Sequence, residues 1–200
     1  FNIPGNGHDG NPDNLIENYK DFVARDIAQM FISGIEFLKI NQLYAIIGGS
    51  LGGGIAWEMA VLRPKITQYL IPIASDWKST DWIIANCLIQ EQILINSKDP
   101  LHDARMHAML CYRTPASFAS RFERSKTEDL KLFNIESWLL HHGEKLKQRF
   151  QLSAYKLMNQ LLRTIDITNN NEDTAELLSS IEAKIHMIGI NTDLFFIPEQ

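Results

Sequence analysis

Apolar and polar positions along the chain follow patterns that predict alternating helices and strands. Apolar residues recur at helical spacing over residues 22–38, which indicates an amphipathic helix. Two short apolar runs, at 43–47 and 69–75, have the length of buried strands, and residues 55–62 between them have the pattern of a helix. A strand, a helix and a second strand in this order predict a parallel pair with a right-handed crossover, and therefore an α/β sheet with helices on both faces.

The rest of the chain divides into a long helical stretch and one further strand. Residues 1–18 are rich in Gly, Asn, Pro and Asp without periodicity, which indicates a surface loop. A polar connector at 169–173, a short helix at 174–183 and a third strand at 185–190 are predicted near the end. Between these parts the pattern is helical, at 82–94, 105–112, 115–122, 135–150 and 154–165. We therefore expect a core of residues 1–78 and 168–200, with residues 79–167 inserted as a helical lid.

A cluster of glycines around one serine stands at the junction of the first strand and the following helix. The pattern Gly48-x-Ser50-x-Gly52 in this setting is typical of a nucleophile elbow, in which the serine adopts a strained backbone conformation at a sharp turn. We expect the two glycines to let strand and helix approach without a collision of Cβ atoms. The backbone N–H of Leu51 should point to where an oxyanion forms. The alternative is a glycine-rich turn that only packs tightly or binds a phosphate.

An elbow of this kind predicts an α/β hydrolase fold, in which the catalytic residues follow the order serine, acid, histidine along the chain. Asp193 follows the third predicted strand, where the acid is expected, although an aspartate in Asn-x-Asp is also typical of an ordinary turn. No histidine follows His186, and His186 lies inside a predicted strand, so we expect no general base among these residues. Without an imidazole to accept its proton, Ser50 would be a poor nucleophile.

The number of strands predicts an incomplete sheet. Only three strands are expected, so the α/β hydrolase fold should be partial, with a mostly parallel sheet that exposes edges and apolar faces unless another segment covers them. The chain also begins at Phe1 without Met and stops soon after the third strand. We therefore expect a fragment of a longer protein.

The composition narrows the classes of partner and compartment. A formal net charge of −5 gives no footprint for nucleic acid or an anionic membrane. Cys87 and Cys111 are too few for a disulfide framework, so we expect free thiols in the cytoplasm, and neither a signal peptide nor a membrane-spanning run is found. His102 and His107 are five residues apart, not four as in a zinc-binding helix, so no metal site is expected.

Arg105 is an isolated arginine in an apolar helix, flanked by Met106, Met109 and Leu110. Either it pairs with a structural carboxylate or it faces a cavity and binds an anionic group there. Its planar guanidinium suits a carboxylate in both cases. The residue chemistry alone leaves the two alternatives open.

Three separate segments, in the same order, carry a resemblance to a known family. They are residues 48–53 (GGSLGG), residues 104–115 (ARMHAMLCYRTP) with Phe118 and Arg121-Phe122 behind them, and residues 191–198 (NTDLFFIP). Together they resemble the homoserine O-acetyltransferases, which are α/β hydrolase-fold acyltransferases of methionine biosynthesis. The resemblance runs from about residue 21 to the end of the chain.

The resemblance implies a ping-pong reaction in which acetyl-CoA, a co-substrate and not a bound cofactor, acetylates a serine, and the hydroxyl of L-homoserine then takes the acetyl group. It implies that Ser50 is the nucleophile, the Leu51 N–H one oxyanion donor and Asp193 the acid of the triad. It also implies that Arg105 holds the homoserine carboxylate. Tyr112 lies two helical turns beyond Arg105 and by spacing alone could line the same pocket. Because the family's lid helices form a homodimer, we expect the dimer contact within residues 79–167.

Other family features have no counterpart in these residues. They are the N-terminal strands, the loop with the second oxyanion donor and the C-terminal His-Asp pair, so we expect the fragment alone to be inactive. The stretch between the second strand and Arg105 is also shorter than is common in the family, which leaves the shape of the lid open. The acyl donor, which depends on that shape, can therefore be acetyl-CoA or succinyl-CoA. The competing hypotheses are a serine esterase, which needs no carboxylate clamp such as Arg105, and a binding module that kept the fold and lost the triad.

Overall fold

The computed structural model describes residues 1–169 and 173–198. Each predicted helix has a counterpart, and one turn of 3-10 helix, Pro12–Asn14, lies within the predicted N-terminal loop. In chain order the elements are α1 (Ala24–Phe37), β1 (Leu43–Gly49), α2 (Leu51–Leu62), β2 (Thr67–Ile73), α3 (Asp81–Asn96), α4 (Pro100–Cys111), α5 (Pro115–Phe122), α6 (Asn134–Lys147), α7 (Leu152–Arg163), α8 (Thr174–Ser180) and β3 (Lys184–Ile185).

The three strands form one parallel sheet with β2 in the centre. β1 and β2 pair along their whole length. β3 is shorter than the strand predicted at 185–190, because regular pairing stops after Ile185 and only a single bridge, between Ile188 and Ile73, follows. Residues 184–190 are all exposed, so burial does not enforce the extended conformation that their apolar pattern suggested. The chain nevertheless follows β2 to the carboxyl end of the sheet.

Helix α2 lies against one face of the sheet and is buried on nearly all sides, from Gly53 to Ala60. Helices α1 and α7 pack on it from outside. On the opposite face, Ile47 and Ile188 remain 66% and 48% exposed. The prediction of helices on both faces is therefore wrong for the described residues, and the predicted exposure of apolar sheet surface is confirmed there.

Helices α3 to α7 occupy the stretch predicted to be a helical lid. α3 packs on α4 and α7, and α4 packs on α6. α7 also contributes Leu157 and Leu161 to the core cluster that it shares with α1 and α2. The division between core and lid at residues 79–167 stays a prediction, and α7 touches both parts. The predicted connector at 169–173 lies largely outside the described residues, although Asp173 caps α8 through a 2.8 Å hydrogen bond from the Ala175 N–H.

Within the described residues, no helix combines the length and the apolar character that a membrane crossing requires.

Candidate active site

Ser50 occupies the sharp turn between β1 and α2. Its backbone has φ 52° and ψ −126°, a conformation that residues other than glycine rarely adopt. The Ser50 N–H donates to the carbonyl of Ile73 at 2.9 Å, and the Ser50 carbonyl accepts from the N–H groups of Gly53 at 2.9 Å and Gly54 at 3.2 Å. The residue is exposed at the carboxyl end of the sheet. Ser50 therefore has the strained backbone of a nucleophile elbow.

The close approach of β1 and α2 depends on Gly48 and Gly53. A Cβ atom on Gly48 would lie 2.2 Å from the carbonyl oxygen of Gly52, and one on Gly53 would lie 2.5 Å from Cβ of Ser75. A Cβ atom on Gly52, by contrast, would meet nothing within 4 Å. The expectation that both glycines of the motif prevent a collision is right for Gly48 and wrong for Gly52, because the second close approach is made by Gly53.

The backbone N–H of Leu51 is the first of helix α2, so it has no acceptor within the helix. It adjoins Ser50 at the positive end of the helix dipole, and Leu51 lines a cavity that Ser50 also lines. This arrangement suits stabilisation of an oxyanion. The role of Leu51 as a donor stays a prediction.

Two cavities meet at Ser50. The first has a volume of about 380 Å³ and is bordered by the loop after β3 and the segment that joins α4 to α5. The second has a volume of about 480 Å³ and lies between α2, α4 and α7. Asp193 lines only the first and Arg105 only the second. The residues that line both are Ser50, Cys111, Tyr112 and Phe195. Ser50 can therefore be approached from two sides.

Asp193 lies in the loop after β3, at the carboxyl end of the sheet. Its Oδ1 accepts hydrogen bonds from the backbone N–H groups of Phe195 at 2.8 Å and Phe196 at 3.0 Å, so the ordinary turn role is present. Among the described residues Oδ2 has no hydrogen-bond partner, and Asp193 does not bond directly to Ser50. One oxygen thus holds the loop, and the other remains available to a group in the first cavity. The role of Asp193 as triad acid stays a prediction.

Asp76 is a carboxylate at this site that the sequence analysis did not single out. Burial raises the pKa of Asp76, and the nearby charge of Asp193 raises it further. Ala74, two residues earlier, lines the first cavity and has a φ of 43°. The available signal was the position of Asp76 just after β2, because ligand chemistry in α/β sheets concentrates at the carboxyl ends of strands.

Arg105 lines the second cavity from α4. Its guanidinium carbon lies 5.5 Å from the centre of the Tyr112 ring, a cation–π contact. Its Nε is buried and has no hydrogen-bond partner, and no carboxylate within the described ranges lies at ion-pair distance from it. The structural ion pair that the sequence left open is therefore not observed there, which favours the cavity alternative. Tyr112 lines the same cavity, in agreement with its spacing.

None of the six histidines, all of which lie in the described part of the chain, lines either cavity. His102 shares a 2.9 Å hydrogen bond with Asp103, and His107 shares one of 3.0 Å with Gln90. His186 is exposed directly after β3. In residues 1–169 and 173–198 no group of three or more His, Cys, Asp or Glu side chains is placed to hold a metal ion. The site thus contains a serine and a carboxylate without an imidazole between them.

The parallel sheet, the strained serine between β1 and α2 and the aspartate after β3 define an α/β hydrolase fold. Solved structures agree. Esterase E22 superposes with a TM-score of 0.78 at 20% identity, covering 94% of this chain and 58% of that one, a likeness of fold alone. No model of a known protein family matches the chain.

The nearer relatives are more specific. Homoserine O-acetyltransferase of Chloroherpeton thalassium is 34% identical over 197 residues, which are 92% of this chain and 52% of that protein. The crystal structure of homoserine O-acetyltransferase from Staphylococcus aureus superposes with a TM-score of 0.76 at 27% identity, covering 90% of this chain and 53% of that one. The chain is thus homologous to the homoserine O-acetyltransferases, which confirms the resemblance, and it spans about half the length of the curated relatives it matches.

Proposed function

We propose that this protein transfers an acetyl group from acetyl-CoA to the hydroxyl of L-homoserine through an acyl-enzyme on Ser50, a step of methionine biosynthesis. The observation that carries the proposal is the position of Ser50 between two cavities, one lined by Asp193 and the other by Arg105. Homology to the homoserine O-acetyltransferases supports it. Acetyl-CoA acts as a co-substrate, and no tightly bound cofactor takes part.

In the first half-reaction, Ser50 Oγ attacks the thioester carbonyl carbon. The bond from that carbon to the CoA sulfur breaks, and a base passes the Oγ proton to the departing thiolate. The Leu51 N–H donates to the oxyanion that forms on the way. The base is an imidazole oriented by Asp193, at a position that none of the described histidines occupies.

In the second half-reaction, the homoserine hydroxyl attacks the acetyl carbon and Ser50 regains its proton. Arg105 orients homoserine by donating two N–H groups to its carboxylate, a pairing that matches the guanidinium in geometry and charge. The Tyr112 ring, stacked with this guanidinium, borders the same cavity. This clamp is what separates transfer to an amino acid from hydrolysis by water.

The test is acetylation of Ser50 followed by discharge. The chain is incubated with acetyl-CoA in imidazole buffer, which supplies a base small enough for the cavity between Ser50 and Asp193, and the Ser50 peptide is weighed by mass spectrometry. We expect an acetyl adduct that is absent from Ser50→Ala and that L-homoserine discharges faster than water. No adduct would refute the acyl-enzyme, and equally fast loss to water would favour the esterase.

Arg105→Gln separates the two half-reactions. Acetylation of Ser50 should be unchanged, because Arg105 contacts only the acceptor. Discharge by L-homoserine should slow about 10-fold or more, the size of one lost charge-assisted hydrogen bond. L-homoserine amide, which has no carboxylate, is the matched probe. It should discharge the acetyl group from Ser50 more slowly than L-homoserine does, and at the same rate in the parent and the variant.

We further propose a homodimer through the exposed face of α3. Polar side chains of this helix, such as Asn86 and Gln90, are buried, whereas its exposed face carries apolar ones. Those exposed by 42–52% are Trp82, Ile84, Leu88, Ile89 and Ile95. Sedimentation should detect a dimer that Leu88→Glu dissociates and that Phe37→Glu, at an 85% exposed site on α1, does not. A dimer that survives Leu88→Glu would refute this face.

We propose the cytoplasm as its compartment. Cys87 and Cys111 are free thiols. Burial raises the pKa of Cys87 to about 12 and also raises that of Cys111, so both stay protonated near neutral pH. Unreactive thiols fit a reducing compartment.

A further inference from the structure

The arginines of the chain fall into two groups. Arg25, Arg63 and Arg163 each form an ion pair with a glutamate. In the described residues the remaining five form no ion pair, and all of them lie between α4 and the start of α7: Arg105, Arg113, Arg121, Arg124 and Arg149. Residues 105–126 hold five cationic side chains and one acidic side chain, in a chain whose net charge is −5. The positive charge of this region is therefore not used to neutralise carboxylates of its own fold.

Two of these arginines are held on one aromatic side chain. The guanidinium of Arg113 lies 5.9 Å from the centre of the Trp138 ring, and that of Arg121 lies 5.6 Å from it. Phe118 and Phe122 pack against the same indole at 5.9 and 5.7 Å between ring centres. Stacking uses the faces of a guanidinium and leaves its N–H edge free to donate. Trp138 thus contacts both cations, and neither guanidinium forms a hydrogen bond or an ion pair within the described residues.

This pair of cations is connected to Ser50. Arg113 lines the first cavity, the one that Ser50 and Asp193 also line. Arg105, which precedes Arg113 in the chain and lies on α4, lines the second cavity. Arg113 therefore stands in the first of the two cavities that meet at the serine, and Arg105 stands with Arg149 in the second. The two cavities can then receive two different anionic molecules.

We propose that Arg113 and Arg121 bind the phosphate groups of the CoA donor, whose thioester arm reaches Ser50 through the first cavity. This rests on the proposed function, because it needs a phosphate-bearing thioester as the acyl donor. Each guanidinium presents two parallel N–H donors that match phosphate oxygens. A carboxylate acceptor such as homoserine carries one small anionic group and needs only Arg105. The donor uses the first cavity and the acceptor the second.

The test compares binding of CoA with binding of pantetheine, which has the same thiol arm and no phosphate, by titration calorimetry on the chain. CoA should bind at least about 10-fold more tightly than pantetheine, as expected for one or more charge-assisted hydrogen bonds. Arg113→Gln and Arg121→Gln should each remove most of this difference and leave pantetheine binding unchanged. Arg124→Gln, which removes the same charge from an arginine stacked on Phe133, is the matched control and should retain the difference. Both target residues are exposed, and circular dichroism checks that the variants fold as the parent does.

Three results would overturn the proposal. The first is equal binding of CoA and pantetheine, and the second is full CoA affinity in Arg113→Gln and Arg121→Gln. The third is a loss of CoA affinity in Arg124→Gln as large as in those two variants, which would indicate unspecific electrostatic attraction. A second probe, S-acetylpantetheine in imidazole buffer, distinguishes failure of the phosphate site from failure of the proposed function. It carries the thioester without any phosphate, so it tests acetylation of Ser50 alone. If that adduct forms and is discharged by homoserine, acyl transfer stands without the phosphate site. If CoA binds as expected and Ser50 takes no acetyl group, the phosphate site stands and the acyl transfer fails.

Discussion

Replacing Gly48 by alanine should destabilise the protein strongly, because the elbow has no room for a methyl group. The added Cβ would lie 2.2 Å from the carbonyl oxygen of Gly52, 2.4 Å from its carbonyl carbon and 2.7 Å from the nitrogen of Gly53. Ordinary contacts of carbon lie near about 3.5 Å, so β1 and α2 would have to separate by roughly 1 Å. All three atoms belong to the backbone and cannot rotate away as a side chain would.

The expected loss follows from this overlap. Overpacking of a packed interior costs about 1–3 kcal/mol, and a rigid backbone obstacle places Gly48→Ala near about 3 kcal/mol. For a chain of this size 1 kcal/mol corresponds to about 2–4 °C, so the midpoint of thermal unfolding should fall by roughly 6–12 °C. Circular dichroism at 222 nm during heating, with urea titration beside it, measures both quantities.

Gly52→Ala is the matched control, because it changes the other glycine of the same motif. Its Cβ would meet nothing within 4 Å, and alanine is favoured over glycine in a helix by up to about 1 kcal/mol. The midpoint should therefore stay constant or rise by about 2–4 °C. A Gly48→Ala variant as stable as the parent, or a Gly52→Ala variant that loses as much, would refute the reasoning from contact geometry.

Two further predictions concern charges. Arg25→Ala should lower the free energy of unfolding by about 3 kcal/mol, because it strands the buried Glu58 carboxylate that lies 2.8 Å from Arg25 Nε. Arg63→Ala breaks the partly exposed ion pair with Glu36 and should lower the free energy of unfolding by less than about 1 kcal/mol. Urea titration measures both variants, and equal losses of stability would contradict both estimates. Asp193→Asn should lower the pKa of Asp76 in carboxyl NMR titrations, since it removes a repelling charge, while burial keeps that pKa above its ordinary value. The raised pKa of Asp76 gives a contribution to stability that is fully present below its unfolded pKa of about 4 and is lost as the pH rises through its folded pKa. Asp76→Asn should therefore remove this decrease of the free energy of unfolding with rising pH.

The elements of the fold were predictable where the pattern of the chain is local. The amphipathic period of residues 22–38 and the apolar run at 43–47 identify α1 and β1 with ends displaced by one or two residues. The third strand was overestimated, because an apolar run suggests burial, whereas residues 184–190 lie exposed at the edge of the sheet. Which faces of a sheet are covered is decided by segments distant in sequence, and no local pattern contains that information.

The site was predictable in part for the same reason. The elbow is a contiguous motif, so the strained conformation of Ser50 follows from its own neighbours. The roles of Gly52 and Gly53 were not separable, because the obstacle to a Cβ on Gly53 is Ser75, which lies beyond the next strand. Asp76 was missed because its raised pKa arises first from burial and then from the charge of Asp193, more than one hundred residues further along the chain, and no local pattern contains either cause.

Several energetically unfavourable features lie at the carboxyl end of the sheet, around the proposed site. Strained backbone at Ser50 and Ala74 costs of the order of 1–3 kcal/mol per residue, and a buried guanidinium nitrogen without a partner, as in Arg105, costs a similar amount. At the other end of α2 the buried charges of Arg25 and Glu58 are paired, so the fold can satisfy such groups. Strain and an unpaired nitrogen lie together around two cavities that meet at one serine. Stability alone would select against each of these features, and the proposed binding of an anionic substrate next to Ser50 would account for their occurring together.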